Sequence, residues 1–193
     1  MELQKEKFLE ELNKEIKSCK KCLLWKTRKN AVPGEGSAYA KIIVIGQAPG
    51  VNEDLTGRPF CGKAGKLLDK LLKIARLERK EIFITSPLKC FPPGNRKPKK
   101  EEIEACLPYL KKQIEIINPK YFILLGEVAL KVFFPQKKLK DFRGRAIEEG
   151  EKFYFPTYHP AAGLRFPKMK EILEKDFRKL ARFLDFQKKS GKI

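Results

Sequence analysis

The chain has 193 residues, 42% hydrophobic and 35% charged, enough apolar material for one compact core and too much for a disordered tail. Its 43 Lys and Arg stand against 24 Asp and Glu, a formal net charge of +19 with the single His neutral. Such an excess draws polyanions, with nucleic acid the leading partner class and an anionic membrane surface second, although abundant Lys and Glu also fit a heat-adapted surface.

No apolar run approaches the roughly 20 residues that span a bilayer. The opening MELQKEKFLEELNKEIK is charged throughout and lacks the apolar stretch of a secretory signal. A single cytoplasmic domain over residues 1–193, acting as a monomer, is expected.

Phe8, Leu9, Leu12 and Ile16 recur at helical spacing and predict an amphipathic helix ending before Cys19. AVPGEGSAYA reads as loop, and IIVI, closed by Gly46, as a strand buried on both faces. QAPGVNEDLTGRPFCG reads as a long loop into a helix over Lys63 to Arg76, with Leu67, Leu68, Leu71, Leu72 and Ala75 on one face. Ile82 to Thr85 is the second strand, and the prolines of Ser86 to Lys99 forbid regular structure there.

A helix over Lys100 to Ile117, interrupted at Pro108, leads to the strand YFILLG and a short helix from Glu127 to Phe133. The extended stretch FYFPTYHP ends at His159, and the last helix runs from Lys168 to Phe186. Strands alternating with helices predict an α/β fold, a three-layer α/β/α sandwich around a short, mostly parallel four-stranded sheet. Ligands in such sheets bind outside the carboxyl ends of the strands. Gly46 to Gly62, Ser86 to Lys99, Gly126 and His159 all fall there.

Cys19, Cys22, Cys61, Cys90 and Cys106 are an odd number of cysteines, and in an intracellular chain metal ligation is a better reading than a disulfide framework. Cys19-Lys-Lys-Cys22 is a closely spaced pair, while Cys90 and Cys106 lie on the loop and helix after the second strand, within reach of it. Four thiolates suit zinc or a 4Fe-4S cluster, and the wide spacing of the second pair leans toward iron-sulfur. The plain alternative is scattered buried thiols, and Cys61 reads as packing alone.

The segment Gly57-Arg-Pro-Phe-Cys-Gly62-Lys63-Ala64 comes near a phosphate-binding loop. Ala64 lacks the hydroxyl that Mg²⁺ needs and the segment lies far beyond its strand, so nucleotide hydrolysis is a minor alternative. Phe60, in a Gly-rich loop, offers a face on which a base can stack, or else packs in the core. His159, the only His, sits on a Tyr-His-Pro turn at the sheet rim, where sites are built; structural hydrogen bonding is the competing role.

In order along the chain, GQAPGVNEDLTGRPFCGKAGKLLD, TSPLKCFPPGNRKP, LLGEVAL and HPAAGLRFP resemble the motifs of the family 4 uracil-DNA glycosylases, iron-sulfur enzymes of thermophilic archaea and bacteria. The resemblance runs from Cys19 to about Pro167. It implies the uracil-DNA glycosylase sandwich and a repair enzyme that flips a deaminated base, uracil first, out of single- or double-stranded DNA and hydrolyses its N-glycosidic bond. It also implies a 4Fe-4S cluster on Cys19, Cys22, Cys90 and Cys106.

By the same resemblance Phe60 stacks on the extruded base, His159 hydrogen-bonds its O2 side, and Leu164 and Arg165 lie on the loop that enters the duplex. The backbone from Gly46 to Gly50 shapes the pocket, and Asp54, at an acidic position of the family, supports the sugar cation, ahead of its neighbour Glu53. Two positions depart from the pattern. Gln47 stands where an acidic residue is usual, able to position water but not to take its proton. Ser86 stands where an Asn amide reads the uracil edge, and its hydroxyl presents one group where an amide presents a matched donor and acceptor. The rival readings are a glycosylase for hypoxanthine or xanthine, a weakly catalytic damaged-DNA binding protein, and an iron-sulfur nucleic-acid module that carries electrons.

Overall fold

The computed structural model describes residues 2–191. In chain order the elements are α1 (Glu2–Ser18), β1 (Glu35–Gly36), β2 (Ile42–Ile45), α2 (Val51–Thr56), α3 (Lys63–Ile74), β3 (Ile82–Thr85), α4 (Lys100–Ile117), β4 (Tyr121–Leu125), α5 (Glu127–Phe133), α6 (Leu139–Phe142), β5 (Ile147–Glu149), β6 (Lys152–Thr157), α7 (Pro160–Arg165) and α8 (Pro167–Lys189).

The alternating pleat of β2 shows why its four residues are all apolar. Ile42 and Val44 face one layer, packing with Leu67, Leu68 and Leu71 of α3 and Phe177, Leu180 and Leu184 of α8. Ile43 and Ile45 face the other, packing with Leu9 of α1, Leu110 of α4 and Leu130 of α5. A third cluster, with Leu12, Ile16, Leu24, Leu88 and Tyr109, fastens the N-terminal segment beside Cys90 and Cys106. Among the described residues no helix is long and apolar enough to cross a membrane.

The three-layer sandwich stands, but the sheet has six strands rather than four, in the order β1-β3-β2-β4-β6-β5. The four expected strands form the parallel centre, and antiparallel β1 and β5 edge it. Both edges are too short to leave a periodic signal. In β1 the backbone comes so close to β3 that a Cβ on Gly36 would lie 2.0 Å from the Ile82 carbonyl oxygen, so glycine, a loop signal in sequence, is here a condition of pairing.

Two other expectations are corrected. α4 runs unbroken through Pro108, which removes only the N–H that would reach the carbonyl of Glu104, both residues lying on the exposed face where water replaces that bond. The long loop after β2 contains the short helix α2, started by Glu53 reaching back to the N–H of Gly50 at 3.0 Å.

Candidate active site

The carboxyl ends of β2, β3 and β6 open on a cavity of about 520 Å³. Two glycines admit the side chains that furnish it. A Cβ on Gly46, just after β2, would lie 2.8 Å from the ring of Phe60, and one on Gly126, just after β4, would lie 3.3 Å from Cβ of His159. The rings of Phe60 and His159 stack on one another here, and both line the cavity. Phe60 holds a left-handed backbone, φ +50°, a strained conformation for a bulky residue.

That conformation is clamped from behind. Arg79 donates to the Pro59 carbonyl at 2.6 Å and to the Phe60 carbonyl at 3.2 Å, and is itself held by Asp69 at 3.2 Å. Arg79 lies in the short turn before β3 and was not legible as a site residue. Its nearest sequence signal is a lone arginine in a charged run.

His159 caps α7, its Nδ1 accepting from the N–H of Ala161 at 3.2 Å. Burial pushes the imidazole down to about 4, against the pull of the Glu53 carboxylate, so near neutrality the ring is uncharged. With Nδ1 occupied as an acceptor, the single proton sits on Nε2, which lies 3.8 Å from where a Cβ on Gly46 would be. The side chain therefore presents a neutral N–H donor beside the Phe60 ring.

Gln47, Gly50, Ser86 and Arg165 also line the cavity, and Leu164, 51% exposed, stands next to Arg165 on α7. Asp54 does not line it. Its buried carboxylate turns away to accept from the N–H of Lys29 at 3.0 Å and of Asn30 at 3.3 Å, so the electrostatic role expected of it does not fit its place. Glu53 faces the cavity instead, accepting from Gly50, Cys61 and Gly62 N–H groups at 3.0, 3.0 and 3.2 Å. The family resemblance favours Asp54 over it, yet a glutamate three residues after a glycine at a helix start is a legible capping signal. Two of the backbone donors of the phosphate-loop alternative, the N–H groups of Cys61 and Gly62, are thereby already taken by a carboxylate.

Cys19, Cys22, Cys90 and Cys106 line one smaller cavity between the N-terminal segment, the loop after β3 and α4. Three of the sulfurs accept N–H bonds: Cys19 from Lys21 at 3.4 Å, Cys90 from the Arg28 guanidinium at 3.1 Å and Cys106 from Lys89 at 3.2 Å. Burial pushes the Cys106 thiol up to about 12 and raises that of Cys90. Among the described residues no three His, Cys, Asp or Glu side chains gather tightly enough to hold one metal ion. Cys61 lies apart, 3.2 Å from the Thr56 hydroxyl.

Residues 33–184 match the Uracil DNA glycosylase superfamily. The chain is 49% identical to the type-4 uracil-DNA glycosylase of Sulfurisphaera tokodaii, across 89% of this chain and 83% of that protein. It is 40% identical to the type-4 uracil-DNA glycosylase of Thermotoga maritima, across 97% of this chain and 98% of that protein. The chain belongs to the type-4 uracil-DNA glycosylases of this superfamily.

Gln47 and Ser86 both lie in the cavity wall. Gln47 follows Gly46 directly. Ser86 is buried, and its hydroxyl donates to the Leu88 carbonyl at 2.6 Å. Three residues on, Nζ of fully buried Lys89 donates to the Pro33 carbonyl at 3.0 Å and to Gln113 Oε1 at 2.6 Å, and its backbone N–H donates to Cys106 Sγ, so this residue is fixed at both ends.

Proposed function

We infer that the protein is a DNA-repair glycosylase that takes uracil out of DNA and hydrolyses its N-glycosidic bond, leaving an abasic site. The observation that carries this reading is the stacked pair of Phe60 and His159 over Gly46, lining the cavity at the strand ends of a chain so close to type-4 uracil-DNA glycosylases. An enzyme that does chemistry on a base must extrude it into a pocket. The Phe60 ring offers it a stacking platform. The net charge of +19 supports DNA as the partner, with Lys63 and Arg165 at the cavity suited to phosphates and exposed Leu164 suited to entering the duplex.

As the bond from C1′ to the base nitrogen breaks, its electron pair leaves with the base and the sugar becomes an oxocarbenium ion. The N–H on Nε2 of His159 donates to the base oxygen on which negative charge gathers. The support of the sugar cation is assigned to Glu53, which lines the cavity, rather than to Asp54, which does not. Water positioned by Gln47 and the Gly46 to Gly50 backbone then adds its oxygen to C1′ and gives up a proton, which the departing base anion or solvent takes.

The same reading assigns a 4Fe-4S cluster to Cys19, Cys22, Cys90 and Cys106. Four thiols around one cavity, three of them already receiving N–H bonds, suit a group that spreads its ligands over several irons better than one ion bound at about 2.3 Å from every sulfur. When bound, it supplies a cross-link between the N-terminal segment and α4. Purified protein should carry iron and acid-labile sulfide in equal amounts and Cys61→Ser should retain both; stoichiometric zinc without iron would refute the assignment.

The activity is tested by incubating the protein with an oligonucleotide that carries one uracil. Strand scission at that site after alkali is expected, and intact strands would contradict the reading.

A further inference from the structure

One side of α3 is spent on the core, where Leu67, Leu68, Leu71 and Leu72 are buried. On the other side Lys63, Lys66, Lys70 and Lys73 follow one another at i, i+3, i+7 and i+10, all exposed. At about 100° per residue this spacing keeps the four within about 80° of one another around the helix, and at about 1.5 Å per residue they form a stripe about 15 Å long.

A heat-adapted surface knits its lysines into ion pairs, and elsewhere this chain does so. Lys80, Lys100, Lys112 and Lys131 each hold a glutamate, at 2.8, 3.7, 3.3 and 3.8 Å. The stripe is different. Among the described residues none of its four ammonium groups is ion-paired, and Asp69, the only acid of α3, turns to Arg79 at 3.2 Å instead. Like charges three and four residues apart on a helix repel, a cost that a polyanion lying along them removes.

The stripe starts at the active-site cavity, which Lys63 lines together with Arg165 of α7. α7 lies against α3, where a Cβ on Gly163 would come within 3.1 Å of Leu67 Cδ2. From Lys63 the other three lysines lead away from the cavity along α3.

We propose that α3 is a track for the DNA backbone on one flank of the extruded base, with Lys66, Lys70 and Lys73 each holding a phosphate. This inference rests on the glycosylase reading and deepens it by seating the duplex on the protein. Each strand of B-DNA carries one phosphate per about 3.4 Å of axis, so a stripe of about 15 Å runs past about four of them. An anionic membrane fits the stripe less well, because an interfacial helix sinks its apolar face into lipid and that face of α3 is filled by the core.

The test is the salt dependence of binding to a duplex with one abasic site, measured by fluorescence anisotropy. The proteins are the wild type, the triple variant Lys66→Gln/Lys70→Gln/Lys73→Gln, and the control triple variant Lys80→Gln/Lys112→Gln/Lys131→Gln, which removes the same charge from ion-paired lysines elsewhere. The stripe variant should bind roughly tenfold or more weakly at about 0.1 M salt, and its slope of log affinity against log salt should be shallower by about 2 to 3. The control should keep the wild-type slope. Shortening the duplex on one flank to about three base pairs should weaken the wild type and leave the stripe variant nearly as it was, whereas shortening the other flank should affect both alike.

Equal flattening of the slope in the two triple variants, or a wild-type slope in the stripe variant, would overturn the inference and leave the glycosylase reading in place. Loss of binding to phosphatidylglycerol vesicles by the stripe variant, at an unchanged DNA slope, would assign the stripe to a membrane and overturn it as well. A wild type that neither binds the duplex nor releases uracil would overturn both.

Discussion

The rings of Phe60 and His159 lie 5.5 Å apart, centroid to centroid, and 26° from parallel, over a glycine that has no side chain to separate them. Because a Cβ on Gly46 would meet the Phe60 ring at 2.8 Å, Gly46→Ala should push the ring off its place with little change elsewhere. Displacing a positioning group by about 1 Å costs on the order of 10²-fold in rate. Single-turnover excision by Gly46→Ala measures it, and a rate within twofold of wild type would show that the ring's place is unimportant.

Arg79 is expected to act on the base only through the Phe60 backbone. Replacing it by Met removes the bonds to the Pro59 and Phe60 carbonyls and frees a residue at φ +50° to relax. Losing such bonds costs about 1–3 kcal/mol where the carbonyls stay buried. The specific outcome is a KM for uracil-containing DNA that rises several-fold more than kcat falls, with partial rescue by Arg79→Lys. Equal changes in both, accompanied by a lowered melting temperature, would make Arg79 a purely structural residue.

Glu53 and Asp54 should separate cleanly although they are adjacent. Asp54→Asn disturbs acceptors used by Lys29 and Asn30 and is expected to lower thermal stability by about 1–3 kcal/mol, with near-normal excision by the folded protein. Glu53→Gln puts an amide N–H against backbone donors and removes the negative charge at the cavity. Its excision rate should fall by roughly tenfold or more. The comparison of melting curves and single-turnover rates checks both.

The pH dependence follows from His159. Free imidazole titrates near 6.5 and burial lowers this one to about 4. Excision should accordingly stay level from pH 8 down to about 5 and fall as pH passes through about 4, where protonation also removes the Nδ1 acceptor that caps α7. Between 6.5 and 4 the unfolded chain binds the proton that the folded chain refuses, so the stability His159 contributes is complete above 6.5 and is lost as pH falls toward 4. Urea midpoints at pH 7 and pH 5 for wild type and His159→Gln test the sign: the drop should be smaller in the variant.

The parallel centre of the sheet and its rim were legible because IIVI, IFIT and YFILL are short, apolar but for Thr85, and closed by residues that end strands. His159 was legible for the same reason, as an unusual residue at a strand end. Glu53 against Asp54 was not. Successive residues on a helix point about 100° apart, so choosing between them needs the seating of α2, and α2 itself is too short to leave a periodic signal. Arg79 is invisible for a different reason: it acts on backbone carbonyls far away in sequence, and no side-chain pattern records a strained φ at Phe60. Pro108 shows the limit of a breaker rule, since a proline on the wet face of a well-packed helix removes one bond that water replaces.

Phe60 and His159 are proposed to act together on the extruded base. The most direct measurement is single-turnover release of free uracil from single-uracil DNA by the wild type, Phe60→Ala and His159→Ala, with each protein's affinity for an abasic duplex measured alongside. The account expects release by the wild type, with an abasic site formed for every uracil freed, and losses of roughly 10²-fold or more in both variants at near-normal abasic-duplex affinity. Uracil release at the wild-type rate by either variant would contradict it.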